Sequence, residues 1–169
     1  MRKRKNKLVK CSVRDLLTFE NNNKGEVGMS MENDCFYCLK DQRLDDLMIE
    51  ISKMEVSTLF LFKEQTYEGR CVLAYKGHQN HLTELADKEY TLYMKDLARA
   101  AKAIMKAFNP DKLNYGAYSD KLSHLHFHLV PKYQDGPSWG GTFEMMPAKK
   151  VLLSEAEYTK KINLIQQNL

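Results

Sequence analysis

The 169-residue sequence holds only four cysteines, four prolines, eight glycines and one tryptophan. So few cysteines exclude a disulfide-dense scaffold, and so little proline and glycine excludes collagen-like and low-complexity chains. No apolar run approaches the roughly 20 residues of a membrane span, and none follows the basic start as a secretory signal would require. These absences predict a cytoplasmic protein without membrane contact. No internal repeat is present. What remains, 43% hydrophobic and 28% charged residues, is the make-up of one globular domain long enough to bury a core.

Charge is unevenly spread. Six of the 26 basic residues (Arg2, Lys3, Arg4, Lys5, Lys7 and Lys10) lie in the first ten positions, where there is no acid, so the formal +4 becomes −2 for the rest of the chain. The basic character therefore belongs to a tail and predicts no nucleic-acid groove. Residues 1–28 read as a basic, disordered extension ending in an Asn-rich stretch, with a helical turn or two possible over Val13–Phe19. In a bacterial gene, the codons of Gly25-Glu26-Val27 would be purine-rich just ahead of Met29, so the expectation is a translated leader with the native start at Met29.

Alternating Leu47, Ile49 and Ile51, the β-rich run Ser57–Lys63, and Arg70–Tyr75 after a Glu68-Gly69 turn predict three strands. Leu92 or Tyr93, Leu97, Ala100 or Ala101, Ile104 and Phe108 form a helical stripe that Asp87 caps and Asn109-Pro110 ends. Leu113–Tyr118 and His124–Val130 predict a hairpin across Ser119-Asp120-Lys121. Ser154 with Glu157 forms a capping box for a last helix carrying Tyr158, Ile162 and Ile165. The fold expected is α+β, a five-stranded, mostly antiparallel sheet with one long helix and a C-terminal helix. Its divisions are 1–28, a main domain over 29–136, and a C-terminal loop and helix over 137–169.

Three of the five histidines fall in His124-Leu125-His126-Phe127-His128. On a strand they share one face, about 6.5–7 Å apart, while Leu125, Phe127 and Leu129 face the core. Imidazole can act as nucleophile, acid or base near neutrality. Two chemistries fit the spacing: a zinc hydrolase with metal on the triad, and a central imidazole that attacks phosphorus while its neighbours hold phosphate oxygens or protonate the leaving group. Cys35-Phe36-Tyr37-Cys38 adds a C-x-x-C pair suited to metal or redox chemistry, while Cys11 and Cys71 stand alone. His81 reads as a surface residue and Trp139 as packing against the C-terminal helix. Phe60 and Phe62 alternate with Leu59 and Leu61, so one of those faces can line a nucleoside pocket.

The run His124-Leu-His126-Phe-His128-Leu-Val-Pro131, followed by Lys132, resembles the H-x-H-x-H-x-x signature of the histidine triad (HIT) family. Cys35 to Cys38, Arg70–His78 and Leu113–Ala117 occur in the family's order, so the likeness spans about residues 33–133. Ser119-Asp120 stands where many relatives carry Gly-Asn or Gly-Gln, and Tyr75-Lys76-Gly77 where a proline is usual. The resemblance implies a nucleotide hydrolase or nucleotidyl transferase, without catalytic metal, that cleaves nucleoside phosphoramidates or dinucleoside polyphosphates through a nucleotidyl-histidine intermediate. It implies His126 as nucleophile, His128 on the phosphate, the His124 carbonyl orienting the His126 ring, His78 as a further nearby imidazole, and Asn114 on the sugar-phosphate. It also implies a homodimer, and a structural zinc on Cys35, Cys38, His78 and His124. A nucleotide-binding module with little turnover is the alternative that Asp120 near the phosphate suggests.

Overall fold

The computed structural model describes residues 34–118 and 120–169. The basic extension, Met29, Cys11 and Ser119 therefore lie outside the described residues. Two short helices open the described chain: α1 (Phe36–Leu39) and α2 (Gln42–Leu47). Asp41 caps α2 by accepting from the Arg43 N–H at 3.0 Å. The strands are β1 (Met48–Lys53), β2 (Ser57–Phe62), β3 (Cys71–Tyr75), β4 (Lys112–Gly116) and β5 (His126–Lys132), with helices α3 (Asp87–Phe108) and α4 (Glu155–Gln166).

All pairings are antiparallel, in the order β1-β2-β3-β5-β4. The five-stranded α+β architecture is the one expected from the sequence. Leu47 closes α2 instead of opening β1, and a bulge between Glu50 and Ser52 breaks the simple alternation of that strand. Gly116 pairs with His128, so the β4–β5 connection is a loop over 117–125 and not a tight turn. β5 begins at His126; Leu125 is instead held by its N–H to the Gln79 carbonyl at 2.6 Å.

The two sheet faces have different partners. Leu59, Leu61, Cys71, Leu73 and Leu129 face α3 and α4 in the main core, with Tyr93, Ala100, Ile104, Tyr158 and Ile165. Burial of this apolar surface, at ~25 cal/mol per Å², is the main force holding the layers together. The helix stripe falls on Tyr93, Ala100, Ala101 and Ile104 as the spacing predicts, but the N-cap is Ala86, not Asp87, and buried Asp96 interrupts the apolar face. Asp96 accepts from Ser57 Oγ at 2.7 Å and from the Val56 and Glu55 N–H groups at 3.0 and 3.3 Å, tying α3 to the β1–β2 turn.

α3 ends at Asn109 with φ 46°, in the left-handed region that suits Asn, its N–H bonded to the Met105 carbonyl. Gly69 sits at φ +81°, and a Cβ there would meet the Phe108 ring at 2.5 Å. The Glu68-Gly69 turn thus needs glycine for both backbone and space. α4 has the expected capping box, and its Tyr158 hydroxyl donates to the Lys63 carbonyl at 2.7 Å. No helix among the described residues is long and apolar enough to cross a membrane.

Candidate active site and metal group

The other sheet face carries the histidines. Phe60, Phe62, Val72 and Ala74 meet Tyr37 and Leu44 of the N-terminal helices, Cys35 ahead of them and Met48 of β1 in a second core cluster. Residues 126 and 128 share a face of β5, and β3 supplies their neighbours through the pairs Val72↔His128 and Ala74↔His126. The three rings do not stand in an open row. His124, His126 and His128 are 1%, 7% and 5% exposed. Tyr37 lies over two of them, with ring centroids 4.8 Å from His124 and 5.5 Å from His126.

Each imidazole has its own partner. His126 Nδ1 is 2.6 Å from the His124 carbonyl, an acceptor, so Nδ1 carries the proton and Nε2 the lone pair. This is the contact that the family resemblance implies for the ring of the nucleophile. Burial pushes the His126 pKa down, and the bond to the His124 carbonyl opposes that shift. His128 Nδ1 is 3.4 Å from Arg70 Nη2. Burial, then the charges of His126 and Arg70, bring its pKa to about 3. The His126 and His128 rings meet edge-on at 5.2 Å.

Two clefts border His126, and one of them also His128. One, about 210 Å³, is lined by Asn80, His81, Tyr118, His124 and His126. The other, about 220 Å³, is mainly apolar and bounded by Phe36, Met48, Phe62, Leu122, His126 and His128. Phe62 therefore lines a cleft and Leu59 and Leu61 the core, as their alternation suggests. Asp120 and Lys121 also border the second cleft. Exposed His81 borders the first cleft.

His124 belongs to a different constellation. Cys35, Cys38, His78 and His124 each offer a ligand atom, all within 4.8 Å of one another. Cys35 Sγ lies 3.3 Å from His124 Nδ1, Cys38 Sγ 3.3 Å from His78 Nδ1, and Cys38 Sγ 3.6 Å from His124 Nδ1. A tetrahedral zinc with bonds of about 2.0–2.3 Å separates its ligand atoms by about 3.3–3.8 Å, so these spacings fit. His124 Nε2 is 2.9 Å from the Tyr75 carbonyl, which places the proton on Nε2 and leaves Nδ1 free to ligate. Four protein ligands leave no open position, the pattern of a structural site.

The geometry does not favour a metal on the triad itself. Among the described residues the ligand atoms that gather in a group of three or more are those of Cys35, Cys38, His78 and His124, not those of the triad, and His124 Nε2 is engaged by the Tyr75 carbonyl. His78 lies beside the triad, its ring centroid 5.5 Å from that of His124 and its Nδ1 3.3 Å from Cys38 Sγ. Asn114 shares the histidine face, since it pairs with Val130, but lines a separate cleft with Lys112, Lys132, Trp139, Gly140 and Gly141. Phe143 and Tyr67 pack on Val130, the strand partner of Asn114. Trp139 is 42% exposed at that cleft and does not pack on α4.

Sequence reasoning missed Tyr37 and Arg70. One-turn α1 has no periodic signal, and a basic residue at a strand entrance reads as solvated until its burial is seen.

A model of the HIT domain matches residues 46–135. Among curated proteins, the adenosine 5'-monophosphoramidase hnt1 of Schizosaccharomyces pombe is 26% identical over 137 residues, 76% of this chain and 98% of its own length. The adenosine 5'-monophosphoramidase HNT1 of Saccharomyces cerevisiae is 28% identical over 99 residues, 58% of this chain and 62% of its own. Among solved structures, a histidine triad protein from Sinorhizobium meliloti superposes with a TM-score of 0.70 at 22% identity, covering 76% of this chain and 95% of that one. A zinc-bound histidine triad family protein from Mycobacterium smegmatis gives 0.57 at 19% identity, with 81% and 94% covered.

Proposed function

We propose, on the premise that this chain belongs to the histidine triad family, that it is a nucleotide phosphoramidase or hydrolase working through a nucleotidyl-histidine intermediate. The observation that carries this reading is the 2.6 Å bond from His126 Nδ1 to the His124 carbonyl, which leaves Nε2 with a lone pair at the meeting of two clefts. The names of the two yeast relatives favour an adenosine 5'-phosphoramidate as substrate.

In the first step His126 Nε2 forms a bond to the α-phosphorus and the bond to the leaving group breaks, its electron pair departing with the phosphate or with the amine, which takes up a proton from solvent. In the second, water adds to phosphorus and loses a proton to solvent, the P–N bond to His126 breaks with its electron pair returning to Nε2, and the nucleoside monophosphate leaves. The His124 carbonyl stabilises the positive charge that grows on the ring, and His128 donates to a phosphoryl oxygen. The apolar cleft beside Phe36, Met48 and Phe62 suits a nucleoside. Cys35, Cys38, His78 and His124 would hold a structural zinc that ties the N-terminal segment to the sheet; the zinc-bound relative lends this support.

His126→Ala tests the assignment. Turnover of an adenosine 5'-phosphoramidate should fall at least about 10³-fold, as expected when a covalent nucleophile is removed. Intact-mass analysis of quenched native enzyme should detect an added nucleotidyl group that the variant lacks. Comparable turnover in the variant would dismiss His126 as nucleophile.

A further inference from the structure

Arg70, immediately before β3, has a side chain with no solvent exposure. A buried guanidinium is costly unless its charge and donors are met; here Nε has no hydrogen-bond partner, and the contacts fall to the two terminal nitrogens. Nη1 donates to the Met145 carbonyl at 3.0 Å and lies 3.5 Å from Glu64 Oε2. Nη2 approaches Met145 Sδ at 3.1 Å and His128 Nδ1 at 3.4 Å. The guanidinium carbon sits 4.1 Å from the Phe62 ring centroid and 5.3 Å from that of Phe143. Those two rings also flank His128, at 6.2 and 5.9 Å. Arg70 and His128 therefore share one aromatic sleeve, with the arginine at the back and the imidazole bordering the cleft.

A guanidinium can donate hydrogen bonds but not accept them. His128 Nδ1 must then be the acceptor, and in the neutral ring the proton resides on Nε2. Burial lowers the Arg70 pKa to about 10, opposed by Glu64, so the group stays charged at neutrality. His126 is held the other way round, with its proton on Nδ1. Two rings 5.2 Å apart thus present a lone pair and an N–H to the same space.

Building on the nucleotidyl-histidine reading above, we propose that Arg70 is a positioning residue that locks His128 in the Nε2–H tautomer, so that it serves as a neutral hydrogen-bond donor to the phosphoryl oxygens beside His126. The charge behind the ring also opposes an imidazolium, so His128 acts as a donor and not as a proton source. Arg70 itself does not touch the nucleotide. Met145 and Glu64 fix its direction, and this draws residues of the C-terminal segment and the β2–β3 loop into the support of the site.

The test combines long-range ¹H–¹⁵N NMR of the histidine rings with kinetics on an adenosine 5'-phosphoramidate. Arg70→Lys keeps a cationic donor. The double variant Glu64→Gln/Arg70→Met removes both charges of the buried pair, so neither ion is left unpaired. Native His128 should give a protonated Nε2 and a bare Nδ1. The double variant should give a tautomer mixture and a kcat lower by about tenfold or more with KM nearly unchanged, the pattern of an interaction made in the transition state. Arg70→Lys should recover part of both.

A native His128 with its proton on Nδ1 would overturn the proposal, as would a double variant whose tautomer and kcat match the native protein. The ring spectra are read without nucleotide, so the two readings fail separately. If the native enzyme leaves the phosphoramidate intact while the variants shift the tautomer as stated, the substrate assignment falls and the hold of Arg70 on His128 stands.

Discussion

Replacing His128 by Asn removes a buried titratable ring but keeps, in Oδ1, an acceptor for Arg70. The native ring has its pKa lowered from 6.5 to about 3, first by burial, then by His126 on the same strand and Arg70 ahead of β3. Tyr118, Asp120 and Lys121 of the β4–β5 loop border it, and Glu64 balances Arg70 from behind. Because the folded value lies below the unfolded one, the unfolded chain takes up a proton first as pH falls. The contribution to stability is complete above about pH 6.5, declines between about 6.5 and 3, and levels off below that. At about pH 4.5, two units below the unfolded value, the penalty amounts to about 2–3 kcal/mol at ~1.36 kcal/mol per unit. Urea unfolding of both proteins at about pH 7 and about pH 4.5 isolates the effect, since groups distant from His128 titrate alike in each and cancel in the double difference. The native protein should lose about 2–3 kcal/mol more than His128→Asn over this interval. Equal losses, within about 0.5 kcal/mol, would refute the claim that His128 is held neutral.

The metal group predicts one zinc per native chain by elemental analysis and none in Cys38→Ser, with added zinc raising the melting temperature of the native protein alone; zinc-free native protein after purification with zinc supplied would reject the site. Asp96→Ala should cost at least about 3 kcal/mol in chemical denaturation, because it leaves Ser57 Oγ and two backbone N–H groups without their acceptor. Gly69→Ala should cost about 1–3 kcal/mol, from the left-handed φ together with the 2.5 Å approach to Phe108; a thermal midpoint unchanged from native would show that the turn relaxes freely.

Local signals carried much of the architecture. The helix stripe, the Ser154 capping box, the Asn109 terminus and most strand cores lie where periodicity and capping chemistry put them, because those features depend on neighbours within a few residues. Where the reading failed, a contact outside the alternating pattern had intervened. Leu47 follows the alternation of a strand, yet Asp41 capping a six-residue helix claims it. The burial of Asp96 has no local signal at all, since its three donors come from the β1–β2 turn. Asn114 keeps its expected strand, but the cleft it lines is formed with Lys112, Lys132 and Trp139, residues that only the fold brings beside it.

The sequence by itself determined that His126 and His128 share a strand face above an apolar one, since alternation along an extended chain follows from backbone geometry alone. It determined, too, which residue types were available to bind a metal or attack phosphorus. Only the tertiary structure decided how the histidines are divided: His124 toward the thiols of Cys35 and Cys38, His126 toward a carbonyl, His128 toward Arg70. The state of an imidazole is set by what lies within about 3.5 Å of each ring nitrogen, and here those neighbours come from positions as much as 89 residues away along the chain.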